Sequence, residues 1–205
     1  MMRLARAIAA VSGATVVLLL WLSCSHPPLT LSDCQPGSGD VNLDGQAFSV
    51  ADAVVLTNYF AEGMSAFVVD KDRQIAASDV NGDCVAPALA DLVYIIHTIT
   101  GEAKPVSDLV PIVATYKVDT GIVSVDISVV KTQVIVEGRS QATSLVEGLS
   151  VSTRYDTLEN ITRILVHSWD MRQPFTGPFV KVDGTVLSAD FATSDGAPVY
   201  VRRRR

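Results

Sequence analysis

The sequence predicts an α+β chain of two unlike parts, a small helical part built around two acidic loops and then an all-β sandwich. Three observations carry that expectation. The stretch DVNLDG, Asp40 to Gly45, returns thirty-nine residues later as DVNGDC, Asp79 to Cys84. An apolar run of helical period follows each copy. Beyond Pro105 the composition turns to valine, isoleucine and aromatic segments parted by glycine or aspartate turns. The expected divisions are residues 1–23 as a signal peptide, 34–105 as the helical part and 106–201 as the sandwich.

The first residues read as an export signal. Arg3 and Arg6 precede an apolar, small-residue stretch from Ala7 to Leu22 with VVLLLWL at its centre. That stretch is short for a bilayer span of about 20 residues, and Ser12-Gly13 interrupts it, so an uncleaved anchor is the weaker reading. Leu22-Ser23-Cys24 resembles a bacterial lipobox, which would make Cys24 the lipidated first residue of an envelope lipoprotein, although Trp21 departs from that pattern. Ser23 and Ser25 alternatively make a small-x-small site for ordinary cleavage that discards Cys24. Either way Cys34 and Cys84 remain of the three cysteines, an even pair that suggests a disulfide in an exported protein.

Composition excludes some functions. The chain has 205 residues, 48% hydrophobic and 19% charged, which suits a packed core. A net charge of −6 argues against a nucleic-acid partner, which needs a basic surface. The one basic run, Arg202 to Arg205, reads as a solvated end.

The repeat carries the chemistry. Asp40, Val41, Asn42 and Asp44 fall on Asp79, Val80, Asn81 and Asp83, and Ala51-Asp52 falls on Ala90-Asp91. Two aspartates and an asparagine within five residues repel one another unless a cation sits among them. Calcium takes six to eight oxygen ligands, and an EF-hand-type loop supplies them from alternate positions. One ion would be held by Asp40, Asn42, Asp44, the carbonyl of Gln46 and Asp52. The other would be held by Asp79, Asn81, Asp83, the carbonyl of Val85 and Asp91. Two calcium ions are therefore expected.

Details of the loops sharpen the expectation. The closing acids Asp52 and Asp91 come thirteenth in both copies, one place later than in an EF-hand. Asp52 also lies three residues after Ser49, a spacing suited to capping a helix. Gly45 fits the sharp turn at position 6, where the second copy has Cys84. A left-handed cysteine would cost roughly 1–2 kcal/mol, so the second loop is expected to bind more weakly. Helical stripes follow: Val55, Leu56, Tyr59 and Phe60 before Gly63, then Leu92, Ile95, Ile96 and Ile99 before Gly101. No strong amphipathic helix is expected ahead of either loop.

Two loop-then-helix copies, GDVNLDG…ADAVVLTNYF and SDVNGDC…ADLVYIIHTI, resemble a bacterial dockerin domain over about Cys34 to Pro105. The resemblance implies two calcium ions and docking into a cohesin module within a cell-surface or polysaccharide-degrading assembly. It also implies that Val50 and Ala51, then Leu89 and Ala90, help select the partner. The late closing acid, Cys84 and the long stretch from Met64 to Ala77 depart from the family pattern.

Beyond the boundary at Pro105 to Pro111, TYKVDT, IVSVDISVV, TQVIVEG, LSVSTRY, RILVHSW and GPFVKVDG read as strands of a sandwich. TRILVHSWD and PFTGPFVKVDGTVLS, with an F-x-G-x-F-like turn, weakly resemble a cohesin module. Docking to the same chain or to another copy would then be open to it. His97 and His167 have no partnered nucleophile motif and read as rim and strand-face residues. Asn160-Ile161-Thr162 is a glycosylation sequon that carries little weight. The expected function is a non-catalytic, calcium-dependent docking module, exported and lipid-anchored if Cys24 is modified. The alternative is an accessory part of a secreted glycoside hydrolase or a carbohydrate-binding adhesin.

Overall fold

The computed structural model describes residues 35–168 and 173–204. The signal peptide, Cys24 and Cys34 lie outside them, as does the end of the segment TRILVHSWD. The described chain is α+β: three α-helices, then nine strands in two sheets that form a β-sandwich.

Helix α1 spans Val50–Glu62. Ser49 caps it: the Asp52 amide donates to the Ser49 hydroxyl at 3.4 Å, and the Ser49 amide donates back to Asp52 at 2.8 Å. Leu56 and Phe60 are buried, with Val55 and Tyr59 packed beside them, and Gly63 ends the helix at φ +70°. Helix α3 spans Leu89–Thr100 and stops at Gly101, whose φ of +77° is the left-handed turn that glycine adopts freely. It buries more than the expected stripe, because Leu89, Ala90, Val93 and Tyr94 are covered as well as Leu92 and Ile95.

Helix α2, Lys71–Ser78, lies ahead of the second loop, where no amphipathic helix is expected from the residues. Its sequence KDRQIAAS offers only Ile75 and two alanines as apolar residues, and its buried residues are Gln74, Ala77 and Ser78. Gln74 is 1% exposed; its Nε2 donates to the Val41 carbonyl at 2.9 Å, and its Oε1 accepts from the Val69 and Asp70 amides. A helix held by a buried amide has no hydrophobic period to find.

The strands are β1 Ile112–Asp119, β2 Ile122–Val129, β3 Lys131–Glu137, β4 Ala142–Ser144 and β5 Leu149–Asp156. They continue as β6 Ile161–Ser168, β7 Phe175–Val182, β8 Val186–Ala192 and β9 Val199–Arg204. One sheet runs β4-β7-β2-β1-β9 and the other β5-β6-β3-β8. Alternation places Val123, Val125, Val134, Val136, Ile164 and Val166 between the sheets, around Phe179 and Phe191.

Two sequence expectations change here. The F-x-G-x-F segment is no turn: Phe175 to Phe179 is continuous β7, with a register shift where Val123 pairs Val180 and Ser124 pairs Pro178. Gly177 at φ +72° supports that irregularity. The arginine run is also no free tail. Arg202, Arg203 and Arg204 belong to β9, which pairs in parallel with β1, and Arg203 donates to the Val186 carbonyl at 2.8 Å.

The helical part sits on the β5-β6-β3-β8 sheet. Ala192, Ala197 and Leu165 join the same apolar cluster as Leu56, Phe60, Leu89 and Val93. The buried Gln133 on β3 donates to the Phe60 carbonyl at 2.7 Å.

Candidate metal-binding loops and the covered helix face

The two acidic loops share one web of amide-to-side-chain hydrogen bonds. In the first, Asp40 accepts from the Asp44 and Gly45 amides, each at 3.0 Å. Asn42 Oδ1 accepts from the Asp44 amide at 3.0 Å, and Asp44 from the Gln46 amide at 2.8 Å. In the second, Asp79 accepts from the Asp83 and Cys84 amides, each at 3.1 Å. Asn81 Oδ1 accepts from the Asp83 amide at 3.1 Å, and Asp83 from the Val85 amide at 2.7 Å. Val41 and Val80, the second residue of each loop, anchor both in one core.

The thirteenth-position acids have a structural role in both copies. Asp52 accepts from the Asn42 amide at 3.0 Å and from the Ser49 amide, while Asp91 accepts from the Asn81 amide at 3.4 Å and the Ala88 amide at 2.9 Å. Asp91 takes the Val80 amide too, at 3.0 Å. Each acid thus clips its loop to the first turn of the following helix, where the helix dipole favours negative charge. Both are fully buried.

Burial makes the second loop electrostatically costly. Desolvation raises the Asp91 carboxyl well above its usual range, and the charges of Asp83 and Asp79 raise it further against the opposing amides. Asp83 is raised for the same first reason. Among the described residues, no ion pair with lysine or arginine reaches Asp40, Asp44, Asp52, Asp79, Asp83 or Asp91. Uncompensated carboxylates of this kind suit a cation.

The donor set fits calcium in chemistry, since every candidate ligand is oxygen. In geometry the loops stop short: among the described residues no three His, Cys, Asp or Glu side chains are gathered as a metal cluster. The carboxylates are turned onto their own amides. A carboxylate oxygen that accepts one amide keeps lone-pair capacity for a cation, so these hydrogen bonds leave Asp40, Asp44 and Asp52, and their counterparts, able to act as ligands.

Backbone strain is shared between the copies, so strain alone gives no reason for the second loop to be the weaker. Cys84 does stand at φ +61°, but so does Leu43 in the first loop. The glycines are exchanged: Gly45 takes position 6 at φ +90°, and Gly82 takes position 4 at φ +68°. Each copy therefore has a glycine at one of these two left-handed positions and a strained residue at the other. Leu43→Gly is expected to tighten the first site by up to about tenfold, less whatever packing the leucine loses. Calorimetric calcium titration checks this, and unchanged affinity would remove strain from the account. Cys84 is disulfide-bonded. The expected pairing with Cys34 involves a residue outside those described.

Sequence reasoning misses Asp190, on β8. Its carboxylate accepts from the Leu89 amide at 2.9 Å and the Phe191 amide at 2.8 Å. Desolvation pushes it up to about 6 against those two amides. It lies on a cleft of about 320 Å³ between the two parts, with Tyr59, Gln133 and Tyr200. A lone acid in a strand gives no sequence signal. His97 is a rim residue that packs on the sandwich, its Nε2 2.7 Å from the Ser194 carbonyl oxygen. His167 lies on β6. A second cleft, lined by Tyr116, Lys117 and Arg204, carries Asp126. Among the described residues no helix is long and apolar enough to cross a membrane.

No family model matches the sequence, and no curated protein matches it. Among solved structures, the chain is similar to a cohesin module from a Clostridium perfringens ATCC13124 family 33 glycoside hydrolase. That match has 15% identity and a TM-score of 0.30, and covers 44% of this chain and 91% of that one. It is also similar to the second type II cohesin module of the cellulosomal adaptor ScaA scaffoldin of Acetivibrio cellulolyticus. Here identity is 13% and the TM-score 0.26, with 45% of this chain and 92% of that one covered. The β-sandwich itself rests on the strand pairings, and scores this low add nothing to a functional argument.

Proposed function

We propose that the chain is a non-catalytic, calcium-dependent protein-docking module of an exported, cell-surface assembly. The carrying observation is the duplicated loop web, in which the same amides meet the same oxygens at a fixed offset around two buried acids. Asp40, Asn42, Asp44, Gln46 and Asp52 hold one calcium ion, and Asp79, Asn81, Asp83, Val85 and Asp91 the other. Calcium supplies the positive charge that the clustered carboxylates lack, and holds each loop against the start of its helix. The resemblance of the two copies to a dockerin supports a cohesin-like module as the partner class.

Calorimetric titration of the full chain tests the reading. Two ions per chain are expected, with Asp40→Ala and Asp79→Ala each removing one. Binding of no calcium at millimolar concentration, the weak end for extracellular loops at about 10⁻³ M, would sink it.

A further inference from the structure

The two copies are equal in fold but not in what covers them. Val50 on α1 is 66% exposed, and its counterpart Leu89 on α3 is 0% exposed. Val54 is 50% exposed, and its counterpart Val93 is 0%. The cover over α3 is the chain's own sandwich, through β8 and the loop that follows it. Asp190 caps the Leu89 amide, Lys104 meets Asp195 at 3.0 Å, and Ala192 and Ala197 pack into the helical core. Gly196 lets the backbones close: a Cβ there would stand 2.8 Å from the Tyr94 nitrogen and 3.0 Å from the Ala90 oxygen.

One side chain joins this contact to the second loop. Asn81 turns its Oδ1 to the loop interior, accepting from the Asp83 amide, while its Nδ2 donates to the Gly196 carbonyl at 3.4 Å. Its counterpart Asn42 spends its Nδ2 within the first loop, on Asp44 at 2.8 Å. The first copy meets the sandwich through the far end of α1 instead, where the Phe60 carbonyl takes Gln133 and Glu62 takes Arg154.

We infer that the chain docks onto itself through its second copy, and that calcium in the second loop sets this latch. The inference rests on the calcium reading above and adds its regulation. An ion held by Asn81 Oδ1 fixes the orientation of that amide, and so fixes Nδ2 against Gly196. The same ion holds Asp91, which positions the start of α3 for Asp190. Loss of this ion frees Asn81 and the α3 N-terminus together, and the face of Leu89, Ala90 and Val93 loosens from the sandwich. Among the described residues the first loop has no such link, so its ion leaves the latch closed.

Hydrogen exchange on the full chain, paired with calorimetry, tests the latch. Asp79→Ala removes the second ion, and Asp40→Ala, the matched control, removes the first. Gly196→Val opens the contact without touching a ligand. The expected result is two bound ions in Gly196→Val and one in each of the other two. Exchange at the Leu89 and Tyr94 amides and along β8 should rise about tenfold in Asp79→Ala and Gly196→Val, and not in Asp40→Ala. Chelator should reproduce the rise in the wild type. If two ions bind but exchange at those amides is the same in calcium and chelator, the latch is wrong and the docking function stands. If exchange rises equally in Asp40→Ala, the second copy has no special role and the latch is wrong. If no ion binds, the calorimetry overturns both.

Discussion

Asp91→Ala should cost the protein about 4 kcal/mol in calcium and only about 1–2 kcal/mol in chelator. The first component is local. The Ala88 amide loses its side-chain acceptor inside the fold, and the Asn81 amide loses a weaker one. The Val80 amide is less affected, because it also donates to the Ser78 carbonyl at 2.9 Å. An unsatisfied buried donor costs about 1–3 kcal/mol, partly offset here because a desolvated carboxylate disappears with it. The second component is the ion, worth about 2.7 kcal/mol when calcium stands at a hundred times its dissociation constant. Urea unfolding in calcium and in chelator separates the two. Equal losses in both conditions would make Asp91 a helix clip and nothing more.

The sandwich is legible in sequence because burial on one face leaves an alternating mark. TYKVD, IVSVDISV, TQVIVE, LSVSTRY, RILVHS and GPFVKV all fall on strands. The strands that escape notice have no such mark. β4 is three residues long, and β9 ends in arginines whose strand character comes from pairing with β1. The break in β7 at Gly177 resembles a turn, because a glycine between phenylalanines reads the same in a bulge. Helix α2 is invisible because its buried face is Gln74, Ala77 and Ser78.

The loops are legible because they are copied, and the fixed offset sets their register from the residues alone. The thirteenth-position acids show why the spacing differs from an EF-hand: Asp52 and Asp91 must also reach back to the amide ahead of the helix, at Ser49 and Ala88. The exchange of glycines is in plain sight, as Leu43-Asp44-Gly45 against Gly82-Asp83-Cys84. Its meaning is not, since a left-handed residue at position 4 leaves no trace unless glycine occupies it in both copies. The docking contact is not legible at all. Asn81, Asp190 and Gly196 meet across long stretches of chain, and each is an ordinary residue until the fold brings them together.

Chelation of calcium from the wild-type chain should give the largest change of all, about 5 kcal/mol if both ions stand at a hundred times their dissociation constants. For a chain of this size that corresponds to a fall in melting temperature of roughly 10–20 °C. Far-UV circular dichroism is the appropriate probe, since the helices follow the loops directly and each begins at a buried closing acid. Without the ion, the carboxylates of each loop face one another across their own amides, and Asp91 keeps its charge only at the expense of burial. Magnesium should restore little of the loss, because it requires a tight octahedron at about 2.0–2.1 Å and sheds water reluctantly. Acid acts in the opposite sense on the two forms. The folded-state carboxyls of Asp91 and Asp83 lie above their usual values, so the calcium-free protein binds protons before the unfolded chain does. It should therefore gain stability as pH falls through those raised values toward about 4, the ordinary aspartate range. The calcium form should lose stability over the same interval, as protons displace the ion. The two curves should converge on acidification. A constant gap between them down to pH of about 4 would mean that calcium is not held by these carboxylates.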